Sequence, residues 1–366
     1  MERELFIRKF TELQEKLISY LQKEDDVDAD FCALRHYLDQ QKINTKNEGF
    51  IEFLHLISRI SINHRRTPFF QTKIEKILIS YKDDIKANFT NTYIFNIFKK
   101  NKLLLLFLFE EGIIKFDKDI QILIENNKPQ LTEYFSPEID QLKKAKKQSN
   151  ASTELFQTNR KNGENQHQIC KLIREDLIDD FVIYTNKNSI NLASKIEPSI
   201  FETNDFLMKK NPTIIEYAAF FGSIQIIHYL RLNDIQLPKS LWFYAIHSNN
   251  AELIHLLEEY DDDKNVKMEY FKEAAKCHHN EIARYFINNY LQKPQKNYIS
   301  KLIKYYNFEF IDQLIKLESL DLINSYFFDL CRYGYYTLVK TLLNDKSINL
   351  NHTKVFFINY FFIQFI

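Results

Sequence analysis

Glycine is scarce in this chain, with five in 366 residues. They stand at Gly49, Gly112, Gly163, Gly222 and Gly334, and no two are close enough to build a loop that cradles phosphate. P-loop, Rossmann and kinase glycine motifs are therefore excluded, and with them the common nucleotide enzymes. Cysteine is equally sparse: Cys32, Cys170, Cys277 and Cys331 are scattered and form no CxxC pair. That usage reads as reduced thiols of a cytoplasmic or nuclear protein, not as a disulfide framework. Charge of one sign is missing too, since Lys+Arg and Asp+Glu both total 49. The balanced charge argues against nucleic acid as a partner. Long apolar runs are absent: the longest, Leu103 to Phe109, falls far short of the ~20 residues that span a bilayer. The opening Met1-Glu-Arg-Glu is charged and unlike a signal peptide. The expectation is a soluble protein with no transmembrane segment. Phe (32) and Tyr (21) are plentiful, alongside Ile, Asn and Lys, and this is read as coding bias before any aromatic-driven function.

What is present is a repeat. From Ala218 the chain reads Ala-Ala-Phe-Phe-Gly222-Ser-Ile-Gln-Ile226-Ile227-His-Tyr-Leu230: a small residue, a turn four later, an apolar pair at eight and nine, and Leu at twelve. The frame restarts at Ala245, Ala274, Leu302 and Leu330, in steps of 27, 29, 28 and 28. Its apolar pair recurs as Leu253-Ile254, Ile282-Ala283, Phe310-Ile311 and Leu338-Val339, and position twelve as Leu257, Phe286, Leu314 and Leu342. Units of this size cannot bury their own apolar face and must stack on neighbours, which is the signature of a solenoid. Each unit reads as two short antiparallel helices. In the first, helix A covers Thr213 to Phe221, Gly222 and Ser223 turn the chain, and helix B covers Ile224 to Leu232.

Toward the N-terminus the frame weakens. Residues Glu4 to Leu21 carry Phe6, Phe10, Leu13, Leu17 and Leu21 on one stripe and predict an amphipathic helix. Further helices are expected over Phe31 to Tyr37 and Phe50 to Ile60, and another starting near Thr67-Pro68. Weaker frames begin at Phe95, Leu123 and Ile169, the last with Leu177-Ile178 as its apolar pair. Residues 136–168 are rich in Lys, Gln, Asn, Ser and Thr and read as a polar linker or mobile loop. The run Lys143-Lys144-Ala145-Lys146-Lys147 is taken as a solvated linker run in preference to a nuclear address. The expected organisation is an N-terminal helical region with degenerate repeats (1–135), the linker (136–168), the repeats (169–350) and an apolar tail (351–366).

The string Thr213-Ile-Ile-Glu-Tyr-Ala218-Ala219-Phe-Phe-Gly222, followed by Ile226-Ile227-His-Tyr-Leu230, resembles the ankyrin consensus T-P-L-H-L-A-A-x-x-G…V-V-K-L-L. The wider stretch through Ala245-Ile246-His247 and Lys276-Cys277-His278-His279-Asn280 is similar to a divergent ankyrin-like family of unknown function expanded in anaerobic protists. The resemblance covers at least Ile169 to Leu343. It implies an all-α, ankyrin-like solenoid of antiparallel helix pairs, acting as a protein-interaction scaffold with no catalytic residues to carry over. These repeats run about 28 residues against about 33 in ankyrins, and they lack the Gly-Asp hairpin tip, so short or absent β-hairpin fingers are expected.

Candidate chemistry is thin. Cys277-His278-His279 juxtaposes metal-ligand types, but zinc needs three or four ligands at defined spacing and no second cluster lies nearby. Register gives a structural reading, with His278 on the Gly222 turn position and His279 on that of Ser223. His228 and His255 share an outer position of helix B with Arg284, Asp312 and Lys340, as a solvated face would. Glu258-Glu259 and Asp261-Asp262-Asp263 lack a partner base. No catalytic residue, cofactor or metal is assigned.

The informative column is the pair ending each helix A: Phe220 and Phe221, His247 and Ser248, Lys276 and Cys277, Lys304 and Tyr305, Arg332 and Tyr333. In ankyrin-like stacks these positions line the concave groove, and aromatic and cationic side chains dominate interface hot spots. They are the expected partner-binding residues for a protein ligand whose identity the sequence does not give. The alternative is a regulatory or effector module that reaches a membrane or oligomer through the apolar tail Val355 to Ile366, where self-association is also expected.

Overall fold

The computed structural model describes residues 2–43, 49–126, 129–143, 154–260, 267–290, 299–312 and 326–344. Over these the protein is all-helical. In chain order the helices are α1 Glu2–Gln22, α2 Asp28–Gln40, α3 Phe50–Asn63, α4 Phe70–Ser80, α5 Lys82–Asn88, α6 Asn91–Phe98, α7 Lys102–Glu110, α8 Lys118–Glu125, α9 Pro129–Tyr134, α10 Ser136–Lys143, α11 Glu154–Asn162 and α12 Gln168–Arg174. There follow α13 Ile178–Lys187, α14 Asp205–Lys210, α15 Ile214–Phe221, α16 Ile224–Leu232, α17 Leu241–Ser248, α18 Ala251–Glu258, α19 Lys267–Lys276, α20 Asn280–Tyr290, α21 Ile299–Tyr305, α22 Phe327–Tyr333 and α23 Tyr336–Asn344. An isolated antiparallel bridge, Lys195 with Thr213, is the sole extended pairing among the described residues. None of the described helices is long and apolar enough to cross a membrane. The tail Val355 to Ile366, with its expected self-association, lies outside the described residues.

Two compact units are present. Unit 1 draws its described residues from Met1–Ser61, Arg66–Tyr81 and Lys267–Ile366; unit 2 from Ile62–Arg65 and Lys82–Val266.

In unit 2 the local rules of helix ends are followed closely. Thr213 opens α15 with a capping box: its hydroxyl accepts from Glu216 N–H while the Glu216 carboxylate accepts from Thr213 N–H. Asn101, Asp117, Asn204 and Asn250 cap α7, α8, α14 and α18 in the same sense. Helices α15 and α17, the A helices of the first two strong repeats, pack along each other, and the small Ala218 and Ala245 at their contact faces are fully buried. The B helices α16 and α18 bury Ile226, Ile227 and Leu230, and Leu253, Ile254 and Leu257.

Unit 1 continues the frame with α19, α20, α21, α22 and α23. Helix α21 packs on α19 and on α22. Against these repeats lie the first helices of the chain, with α1 packing on α23 as well as on α2 and α4. The α1 stripe predicted from sequence is the buried one, with Phe10, Leu13, Leu17 and Leu21 enclosed.

The turn expected four residues into each of the five strong frames occurs at all five positions, whereas the weak frame placed at Phe95 has right-handed Lys99 there, φ −56°. Gly222, Asn249, His278, Tyr306 and Gly334 have φ of 73°, 53°, 57°, 58° and 81°. This left-handed backbone ends a short helix and reverses the chain, and glycine and asparagine adopt it most cheaply. The weak frame placed at Ile169 is corrected by the same criterion. The left-handed residue there is Asp176, φ 49°, so that frame starts at Leu172. Leu177, expected in its apolar pair, is exposed, whereas Phe181, expected at position twelve of that frame, is buried. Apolar residues spaced three and four apart fit more than one register, and only the turn residue distinguishes them. Within 136–168, expected as a linker or loop, α10 and α11 are formed. Arg160 of α11 is buried there, forking onto both carboxylate oxygens of Glu138 at 2.9 and 3.0 Å.

Candidate functional site

The helix-end column divides between the units. Phe220, Phe221, His247 and Ser248 belong to unit 2; Lys276, Cys277, Lys304, Tyr305, Arg332 and Tyr333 belong to unit 1.

In unit 2 the column builds an aromatic cluster. The His247 ring stacks on Phe206 (centroids 4.2 Å apart) and on Phe220 (5.3 Å), which also stack on each other at 6.1 Å, and Phe220 meets Phe221 edge-on at 5.1 Å. Phe220 and Phe221 are half-buried and keep an accessible face, whereas His247 is only 2 % exposed. Ser248 turns inward, its hydroxyl donating to the Ala245 carbonyl at 2.8 Å, and is equally buried. Two further members, Phe206 and Tyr244, are absent from the sequence-derived set, and their rings meet at 4.9 Å. Phe206 arrives on α14, a helix inserted ahead of the repeat and fixed by Asn204, whose side chain accepts from the Phe206 and Leu207 N–H groups. The sequence signal for it was the cap residue Asn204 just before an apolar pair.

In unit 1 the column lies among charges. Lys276 sits 2.6 Å from the Glu273 carboxylate; desolvation opposes its charge, but Glu273 outweighs that and holds the ammonium above its ordinary pKa. Cys277 is fully buried, and burial followed by the Glu273 charge pushes its thiol well up, with Lys276 opposing. At neutral pH it is a thiol, not a nucleophile. Burial also raises Tyr305, with Lys276 and Arg59 opposing. Glu273, Lys276, Cys277, Tyr305 and Arg59 thus share one electrostatic neighbourhood. Lys304 lies over the Tyr305 ring at 5.3 Å and Arg332 over that of Tyr333 at 5.8 Å, giving two cation–π pairs of which Arg332 is the exposed member. The pairs keep aromatic faces and cations side by side.

The turn residues knit one repeat to the next within each unit. Ser223 donates to the Ile173 carbonyl at 2.5 Å, Asn307 Nδ2 to that of Ala275 at 2.8 Å, and the Tyr335 hydroxyl to that of Ile303 at 2.8 Å. These three donors hold the same repeat position, one past the left-handed residue, and their acceptors also share a position. His278 is a turn residue here, with its Nε2 3.4 Å from the Tyr306 carbonyl. The outer positions His228, His255 and Lys340 are exposed.

No family model matches this chain, and neither a curated protein nor a solved structure matches it.

Proposed function

We propose that the chain is a non-enzymatic, ankyrin-like helical-repeat scaffold that binds a protein or peptide partner through the helix-A ends of its repeats. Support for the repeat reading comes from the five left-handed turns on one frame, the short helix pairs between them, and the same turn-to-turn hydrogen bond at a fixed repeat position. Among the described residues one bridge, Lys195 with Thr213, stands ahead of a helix A, where an ankyrin finger would start.

The observation that carries the binding role is the accessible part of the column: Phe220 and Phe221 in unit 2, and the Lys304–Tyr305 and Arg332–Tyr333 pairs in unit 1. Rigid aromatic faces beside guanidinium and ammonium groups are the ingredients of interface hot spots. The buried members act as their support, holding Phe220 against His247 and Tyr305 beside Lys276. In the unit 1 part of the column, burial holds Cys277 as a thiol and Tyr305 as a phenol, and Lys276 is an ammonium paired with Glu273.

The test is affinity capture with crosslinking from the native cell. Changing Lys304, Tyr305, Arg332 and Tyr333 together to Ala should abolish recovery of the partner while the far-ultraviolet circular dichroism stays that of the parent. Changing His228, His255 and Lys340 to Ala should leave recovery intact. Loss in the second set with retention in the first would move the binding face to the outer helices.

A further inference from the structure

Lys276, Lys304 and Arg332 hold one repeat position, two residues past the frame start, on α19, α21 and α22. Helix α21 packs on both of the others, so the three positions follow one another across this part of unit 1. Packed helices stand about 8–10 Å apart, which sets the approximate step from one cation to the next. The residue after the cation repeats as well, since Lys304 lies over the Tyr305 ring and Arg332 over that of Tyr333.

A basic residue in the last turn of a helix complements the helix dipole, and that alone would account for a cation here. The repeat argues against so simple a cause. Helices α15 and α17 carry the same dipole and end in the same left-handed turn, yet they have Phe220 and the buried, stacked His247 at this position. The charge is also unevenly answered. Glu273, one turn before Lys276, meets that ammonium at 2.6 Å. At the equivalent place α21 has the exposed Lys301, and α21 contains no carboxylate; α22 has Asp329. Over these two positions four cations therefore face two carboxylates. Another cation comes from outside the repeats. Helices α1 and α3 are tied to them by Gln14, which accepts from Phe308 N–H at 2.8 Å, and Glu52, which accepts from Thr337 N–H at 2.6 Å. His55 of α3 stacks on Tyr306 at 5.4 Å, and one turn further the Arg59 charge acts on Tyr305, as that of Lys276 does.

We propose that the unit 1 part of the column binds an acidic, extended segment of the partner, whose carboxylates three residues apart meet Lys304 and Arg332 while the residues between them lie on Tyr305 and Tyr333. This rests on reading the column as the partner face, and it adds the partner's chemistry. The spacing selects the conformation. A polyproline II chain has three residues per turn and rises about 3.1 Å per residue, so it returns a side chain to the same face every ~9 Å, close to the helix step. Aromatic faces are the surfaces on which such chains dock, and their stiffness lowers the entropy lost on binding.

Fluorescence anisotropy on the full chain, with a labelled synthetic peptide of tandem Glu-Pro-Pro units, tests the site. The parent should bind it saturably, and Lys304→Gln with Arg332→Gln, which keeps both tyrosines, should weaken binding by at least about tenfold. Lys304→Glu with Arg332→Glu should lose this peptide and gain one of Lys-Pro-Pro units, an exchange of charge that a misfolded variant would not produce. No saturable binding to the parent, equal binding of a Gln-Pro-Pro peptide, or an unchanged affinity in the Gln variant overturns the proposal. So does equal binding of a peptide of the same composition with its glutamates consecutive. Tighter binding of single-stranded polyuridylate, lost in the same variant, overturns it in favour of a nucleic-acid strand. Capture from the native cell separates this proposal from the reading beneath it. A partner lost by the four-alanine variant but kept by the Gln variant overturns the acidic chemistry alone, whereas a partner kept by both overturns the column as the binding face.

Discussion

Replacing Glu52 by Gln should unbalance a buried Glu52–His55 pair whose two pH effects oppose each other, leaving a contribution to unit 1 stability that rises with pH. Burial pushes the Glu52 carboxyl up to about 7 from 4.5, opposed by its hydrogen bonds with Thr337. A raised carboxyl means that the folded state holds its proton longer than the unfolded state does, so stability falls as pH climbs from 4.5 to about 7 and then levels. At about 1.4 kcal/mol per pKa unit, the loss is about 3 kcal/mol. His55 works the other way. Burial, with Arg59 adding, lowers it from 6.5 to about 3, so the folded state excludes a proton that the unfolded state accepts. Stability is therefore lost as pH falls from 6.5 to about 3, by about 5 kcal/mol when complete. Between 4.5 and 6.5 the two slopes are equal and opposite, which leaves the parent flat with respect to this pair. Glu52→Gln keeps an acceptor for Thr337 N–H and removes one slope. The assay is exchange of the α23 amides at a series of pH values, corrected for intrinsic rates. The protection of the variant relative to the parent should grow by roughly two to three powers of ten between pH 4.5 and about 7, because about 1.4 kcal/mol is tenfold. A ratio constant across that window would show that Glu52 is not buried against α23 and would refute the reasoning.

Leu257 is 3 % exposed in α18, and Leu257→Ala should cost about 2–5 kcal/mol through the cavity it leaves. The one tryptophan, Trp242, is buried in the same unit and reports the loss as a lowered urea midpoint; an unchanged midpoint would mean the repeat register is wrong. Gly334→Ala should destabilise unit 1 by more than the ~1–2 kcal/mol of its left-handed backbone, because the new methyl meets His55. Gly112→Ala, with φ +60° and open space around its Cβ, should cost the backbone part only, and equal exchange protection in the two variants would contradict the close approach of α3. Asp176→Ala should remove about 0.5–2 kcal/mol by uncapping α16, and Asp176→Asn should restore most of it in the Trp242 readout. In thiol titration of the native protein at pH 8, the exposed Cys32 should react promptly, with Cys170 and Cys331, both pushed to about 12 by burial, and Cys277 reacting only on denaturation.

What was legible in the sequence was local. The spacing of Ala218, Gly222, Ile226-Ile227 and Leu230 is written within thirteen residues, and so are the helix pair and its left-handed turn. The early helices were found by their stripes, with α3 expected over Phe50 to Ile60 and formed over Phe50–Asn63. The placement of those helices was not legible. Glu52, His55 and Arg59 look like the polar side of an ordinary amphipathic helix, and nothing in their spacing names Thr337 or Tyr306 as the groups they meet. Arg160 and Glu138 were hidden for a related reason, since a buried fork between two charges has the composition of a solvated loop. In the candidate site, Phe220 was found because it stands on the frame, whereas Phe206 was missed because α14 is an insertion outside it. The inward setting of His247, Ser248 and Cys277 depends on packing between elements, which periodicity alone does not report.

The packing of α1 and α3 on α21 to α23 also sets an order of events during synthesis. Helices before Lys82 leave the ribosome ahead of unit 2, but Phe308 and Thr337, the groups that Gln14 and Glu52 hold, are made after the segment Lys82–Val266. At translation rates of about 5–20 residues per second the first helices wait roughly 10–50 s for them. Through that interval the faces of Phe10, Leu13 and Leu17 lack the α23 side of their enclosure, while the segment between Lys82 and Val266 already holds every residue of unit 2 except Ile62–Arg65. A nascent chain of this design meets its greatest risk of misassociation late, and dependence on a holding chaperone should fall sharply once residue 344 has emerged.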